Sequence, residues 1–85
     1  MWIEEDNQLK RTFLFKDFKT AFTFMSKVAQ LSEKLQHHPL WINEYNKVDI
    51  YLYTHDDGNI VTDKDRKLAL GIDKLFNEIT KLKPI

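Results

Sequence analysis

Hydrophobic and polar positions along the 85 residues fall into six short runs with two different periods. Met1 to Asn7 is short and acidic and is expected as an edge strand. From Leu9 the pattern alternates, with Leu9, Arg11, Phe13 and Phe15 on one side and Lys10, Thr12, Leu14 and Lys16 on the other. A period of two predicts a strand with one aromatic face. Asp17 is a helix-capping residue type, and beyond it the apolar residues take helical spacing. Phe18, Phe22, Met25, Ala29 and Ser32 form one stripe, and Ala21, Phe24, Val28, Leu31 and Leu35 form a second beside it. Together they span about half of the helix surface, wider than the ~100° sector that one core contact needs. Either the helix is sunk deep in one core, or Phe24 and Leu31 meet another subunit. Pro39 is expected to stop this helix, since proline pushes the residue before it out of the helical region.

Trp41 to Asn46 and Lys47 to His55 then read as two strands joined by a tight turn near Asn46-Lys47. In the second strand Val48, Ile50, Leu52 and Thr54 alternate with Asp49, Tyr51, Tyr53 and His55. Asp56-Asp57-Gly58-Asn59 has strong turn chemistry. Thr62 followed by Asp65 resembles a capping box, with Asp in place of the usual Glu or Gln. The last helix carries Leu68, Ile72, Leu75, Ile79 and Leu82 on one stripe, with Ala69 and Phe76 alongside, and Pro84 is expected to end it. The order is ββαββα. Strands linked by short turns pair antiparallel, and each amphipathic helix must bury its stripe against the sheet. The predicted fold is α+β: one domain over residues 1–85, a four-stranded, mostly antiparallel sheet with two helices packed on one face.

Composition narrows the function. Thirteen basic residues balance thirteen acidic ones, so no basic face argues for nucleic acid, and little charge repulsion opposes self-association. The absence of Cys removes disulfides, thiolate metal sites and Cys nucleophiles together. No apolar run reaches signal-peptide or membrane-spanning length, so a soluble, cytoplasmic protein with no membrane partner is expected. A content of 13% aromatic and 42% hydrophobic residues argues against disorder.

What remains for chemistry is the three histidines. His37 and His38 close the first helix before Pro39, and His55 ends the longest strand. Imidazole has an unperturbed pKa of ~6.5 and suits proton transfer near neutrality. Histidines near a helix C-terminus also interact well with the helix dipole and need no other purpose. Three imidazoles plus a water could equally hold zinc. Glu33, four residues before His37, lies where a carboxylate can fix its tautomer, or is a solvated residue on a polar face. Trp41 can wall a planar ring or simply pack. Asp65 is a helix-start residue first, and a site residue only if that helix end opens onto the histidines.

Glu33-Lys-Leu-Gln-His37-His38-Pro39, followed by Trp41, Tyr45-Asn46-Lys47-Val48, Thr54-His55 and Asp65, resembles the signature of pterin-4a-carbinolamine dehydratases. The likeness extends upstream through Phe13, Phe15, Phe18, Ala21, Phe22 and Met25, and downstream through Leu68 and Ala69. The chain departs from the pattern at Gln36, where family members often carry Asp, in the loop from Asp57 to Val61, and in lacking the N-terminal helix of longer members. The resemblance implies a hydro-lyase that dehydrates 4a-hydroxytetrahydrobiopterin, or a related pterin, to the quinonoid dihydropterin in tetrahydropterin recycling. It implies His37, His38 and His55 as catalytic residues, with Glu33, Trp41 and Asp65 binding or orienting. It also implies no metal and no cofactor, the pterin being the substrate, a homodimer or dimer-based tetramer, and an aromatic amino acid hydroxylase in the same pathway. Relatives that serve as dimerisation partners leave a non-catalytic protein-interaction role on this scaffold as the alternative.

Overall fold

The computed structural model describes residues 1–55 and 58–81. Asp56 and Asp57 of the expected loop, and Leu82 and Pro84 of the expected helix end, lie outside the described residues. The elements are β1 (Ile3–Glu5), β2 (Gln8–Leu14), α1 (Phe18–Leu35), β3 (Leu40–Glu44), β4 (Lys47–Leu52) and α2 (Asp63–Thr80). They build one four-stranded sheet in the order β1-β2-β4-β3, with every neighbouring pair antiparallel. This is the expected α+β fold.

Both hairpins close through two residues. Glu5 lies opposite Gln8, so Asp6 and Asn7 form the first turn, both left-handed with φ of 53° and 62°. Such mirror-image turns match the right-handed strand twist, and Asp and Asn tolerate them. In the second hairpin Glu44 lies opposite Lys47, so the turn is Tyr45-Asn46, one residue earlier than the sequence suggested. Tyr45 takes the left-handed conformation (φ 49°). Asn46 fixes the turn by docking it on the end of β2. Its carbonyl accepts from the Phe15 N–H at 3.0 Å, and its side-chain amide donates to the Phe15 carbonyl at 2.8 Å.

The alternation in β2 and β4 turns Leu9, Phe13, Val48, Ile50 and Leu52 toward the helices, where they meet Ala21, Phe24 and Val28 of α1 and Leu68, Ala69 and Ile72 of α2. At the centre Phe13 packs on Phe24 and Phe76 with ring centroids 4.9 and 5.0 Å apart, in tilted and edge-on arrangements. Arg11 shares this aromatic row. Its guanidinium lies 4.5 Å from the Phe13 ring centroid and reaches Asp73 at 2.7 Å, so its stem is covered while its charge is paired.

The two readings of α1 are separated by burial. Phe24 is fully buried in this chain's own core, and Leu31 is half-buried against α2. There Gly71 permits a close approach: a Cβ at that position would lie 2.6 Å from Leu31 Cδ2. The large apolar residues left outside are Phe18 and Phe22, 48% and 56% exposed and stacked with centroids 6.0 Å apart.

Asp17 caps α1 by accepting the Thr20 backbone N–H at 2.8 Å. Hydrogen bonding to Thr20, through its side chain and then its backbone, holds the Asp17 carboxyl below its ordinary value of 3.8. Its contribution to stability is therefore fully present above that value and is lost as the pH falls through the lowered one. At the other end, Pro39 is not what stops the helix. Gln36 turns left-handed (φ 52°), its N–H donates to the Glu33 carbonyl at 3.2 Å, and the His37 N–H donates to the Ser32 carbonyl at 3.0 Å. That pair of bonds is the Schellman arrangement, in which glycine usually takes the left-handed position. A left-handed non-glycine residue costs about 1 kcal/mol, so Gln36→Gly is expected to raise stability by up to that amount, read as a higher thermal or denaturant midpoint.

Candidate active site

The Schellman stop releases the chain at His37 and His38 and throws both out of the helix. The Thr62 cap meanwhile brings the first turn of α2 beside them. Asp65 completes the expected capping box, accepting the Thr62 N–H at 2.9 Å through Oδ2. The same carboxylate has a second use. Its Oδ1 lies 2.5 Å from Nε2 of His37, and Oδ2 also accepts the Thr54 hydroxyl at 2.7 Å. Asp65 is fully buried, whereas the His37 side chain keeps 14% exposure. A backbone N–H and a threonine hydroxyl occupy Oδ2, so Oδ1 is an acceptor awaiting a donor. A donor there is the Nε2–H of His37, which leaves its Nδ1 outside this bond.

His38 is arranged differently. Its Nε2 lies 2.6 Å from Glu33 Oε2, and both side chains are more than half exposed. Glu33 therefore meets His38, not His37 as the helical spacing suggested. The reason is the early helix stop, which removes His37 from the face that carries Glu33. His55 follows Thr54, whose N–H donates to the Ile60 carbonyl at 2.8 Å and whose carbonyl accepts the Asn59 N–H at 3.0 Å. These bonds fix the backbone from which His55 projects, with its ring 4.8 Å from that of Tyr53.

The three histidines line one cavity of about 210 Å³ together with Gln36, Tyr53, Thr54 and Lys64. Larger surface hollows of about 370 to 450 Å³ contain no histidine. Trp41 is not among the lining residues. It packs half-buried against the core from β3, and the aromatic side chain at the cavity is Tyr53. Gln36, at the position where family members often carry Asp, donates its side-chain amide to the Glu33 carbonyl at 2.6 Å. Among the described residues, no group of three or more His, Asp or Glu side chains is arranged to hold a metal ion.

This cavity, with two carboxylate-bound imidazoles and a third beside them, is suited to moving protons on and off a small polar molecule. A family model described as pterin 4 alpha carbinolamine dehydratase matches residues 1–75. The chain belongs to that family. A Prochlorococcus marinus (strain NATL2A) protein provisionally named a pterin-4-alpha-carbinolamine dehydratase is 58% identical over 76 residues, 89% of this chain and 79% of its own length. A Rhizobium meliloti (strain 1021) protein with the same provisional name is 50% identical over 76 residues, 86% of this chain and 71% of its own length. The crystal structure of a Brucella melitensis transcriptional coactivator/pterin dehydratase superposes with a TM-score of 0.83 at 46% identity, covering 87% of this chain and 80% of that one. A pterin dehydratase-like protein identified as a RuBisCO assembly factor in the alpha-carboxysome shares the fold, with a TM-score of 0.72 at 23% identity, covering 89% of this chain and 87% of its own.

Within this dehydratase family fold, sequence reasoning gave no site role to Tyr53, Thr54 or Lys64, which line the cavity with the histidines. The signals were there: Thr54 is a polar residue on the inward-facing side of an apolar alternation and precedes His55 in the signature, and Tyr53 shares the His55 face of the same strand. At the start of α2, Asp65 meets His37 from beneath the surface, and Lys64 beside it lines the cavity. No helix among the described residues is long and apolar enough to cross a membrane.

Proposed function

We propose that this protein dehydrates a 4a-hydroxytetrahydropterin, 4a-hydroxytetrahydrobiopterin or a close analogue, to the quinonoid dihydropterin in tetrahydropterin recycling beside an aromatic amino acid hydroxylase. The observation that carries the reading is the buried Asp65 holding His37 at a cavity shared with His38 and His55. In the reaction the bond from carbon 4a to its hydroxyl breaks, and the oxygen takes a proton and leaves as water. The neighbouring ring nitrogen gives up its proton, and the electron pair left behind closes the carbon–nitrogen double bond. One proton is supplied and one removed, so the net proton count of the enzyme is unchanged, and exchange with solvent then resets the two imidazoles for the next turnover. His37, through Nδ1, and His55 are the proton-transfer pair. His38, tethered by Glu33, positions the substrate, and Tyr53 offers a ring against which the flat pterin can lie. Each well-placed proton transfer is worth about 10²–10⁴-fold in rate.

The test is to add the purified protein to a pterin-dependent hydroxylase and follow decay of the carbinolamine. Faster decay that is insensitive to EDTA is the expected result. Uncatalysed decay would refute the reading; EDTA-sensitive catalysis restored by zinc would favour a metal mechanism. A second reading, a non-catalytic binding role, is favoured by one observation: the uncovered sheet face exposes Ile3, Leu14, Leu40 and Ile42. The same assay separates the two.

Assembly is part of the proposal. The stacked, exposed pair Phe18 and Phe22 and the zero net charge support a homodimer or dimer-based tetramer. Light scattering at micromolar concentration is expected to give a multiple of 10.2 kDa, and a pure monomer would sink the idea.

A further inference from the structure

We infer that Thr54 is a positioning residue of this site, holding the Asp65 carboxylate in the one orientation that fixes the tautomer of His37; the inference rests on the dehydratase reading. Thr54 is 2% exposed and has a single hydroxyl proton. Its Oγ1 lies 2.7 Å from Asp65 Oδ2 and 2.7 Å from Thr62 Oγ1. The Lys64 backbone N–H donates to Thr62 Oγ1 at 3.3 Å, which leaves the Thr62 proton free to point at Thr54. The hydroxyls therefore run one way: Thr62 donates to Thr54, and Thr54 donates to Asp65.

The consequence is geometric. A carboxylate held at one oxygen by the Thr62 N–H alone can still rotate about its own bond. The Thr54 hydroxyl supplies a second donor to Oδ2 from a different element, so rotation breaks two bonds, and Oδ1 stays aimed at His37 Nε2. Thr54 also sits between the two histidines proposed to move protons. Its side chain reaches the partner of His37, and its backbone bonds to Ile60 and Asn59 set the position of His55. A hydroxyl that only satisfied a buried carboxylate would affect folding alone. A positioning hydroxyl must also affect the protonation pattern of His37.

The experiment compares wild type, Thr54→Val and Thr54→Ser in the full chain. Thr54→Val keeps the shape and removes the donor, and Thr54→Ser restores the donor without the methyl. Expected for Thr54→Val are a kcat lowered about 10-fold or more, the scale of losing a hydrogen bond to a charged group, a KM changed far less, and an altered pH–rate profile. Thr54→Ser is expected to return kcat and the profile toward wild type. Nitrogen-15 NMR of the imidazoles reads His37 directly, without any substrate: one Nε2–H tautomer in wild type and Thr54→Ser, and a mixture in Thr54→Val. A wild-type kcat, pH profile and tautomer in folded Thr54→Val would overturn the inference. An inactive wild type would overturn the dehydratase reading instead, and the tautomer comparison would still decide whether Thr54 positions His37.

Discussion

Replacing His37 or His55 by Ala is expected to lower turnover by about 10²-fold or more in each case, the loss that follows removal of a proton-transfer group. The two variants should differ in stability. His55 is exposed, so His55→Ala is expected to change stability by no more than about 0.5 kcal/mol. His37 is one of three donors to the fully buried Asp65, and His37→Ala leaves Oδ1 without its partner. An unpaired buried acceptor costs about 1–3 kcal/mol, so His37→Ala should also lower the unfolding midpoint. The double variant should lose less than the product of the single effects, since groups that act as a unit are not additive. Carbinolamine decay and thermal unfolding on the same four proteins check all of this. Near-wild-type turnover in the double variant would eliminate imidazole proton transfer.

The fold was legible because its signals are local and repeated. The alternation of Val48, Ile50 and Leu52 faces the core as expected, and the Thr62–Asp65 capping box starts α2 where the sequence put it. Errors arose where a tertiary contact or a single backbone angle decides. Gln36 is an ordinary helix former, and nothing in its side chain announces a left-handed residue, yet its turn ends α1 before Pro39. That one angle moved His37 off the helix face, gave Glu33 to His38, and left His37 for Asp65. Helical periodicity offered Phe24 and Leu31 as the side that could meet another subunit, whereas Phe18 and Phe22 are the exposed pair, because periodicity measures the width of an apolar sector and not which half meets the sheet. The sequence placed the histidines at element ends. That Asp65, 28 residues from His37, would close on it depends on how α1 and α2 pack.

The sharpest consequence of that packing is expected at Asp65→Asn, which keeps the side chain's shape and changes only what it can accept. The carboxylate receives three donors: the Thr62 N–H, the Thr54 hydroxyl and the His37 imidazole. Asparagine has one acceptor oxygen and one NH₂ group, so one side of the site must now face a donor. The Thr62 N–H is backbone and can only donate. Imidazole can change tautomer, so the cheaper arrangement keeps the oxygen on Thr62 and Thr54 and turns the NH₂ toward His37. Nε2 then becomes the acceptor and the proton moves to Nδ1, the nitrogen proposed to serve the substrate. The helix cap survives in this arrangement, so the stability loss should stay within about 1–3 kcal/mol, from weaker, uncharged hydrogen bonds. Turnover should fall by about 10²–10⁴-fold, because His37 now presents a proton where it presented a lone pair. Asp65→Ala should unfold more easily still, since it also removes the acceptor of the Thr62 N–H and leaves only the Thr62 half of the capping box. The decisive comparison is therefore activity against unfolding midpoint for Asp65→Asn. A folded Asp65→Asn protein turning over at the wild-type rate would mean that the buried carboxylate serves the helix start alone and that His37 takes its tautomer from elsewhere.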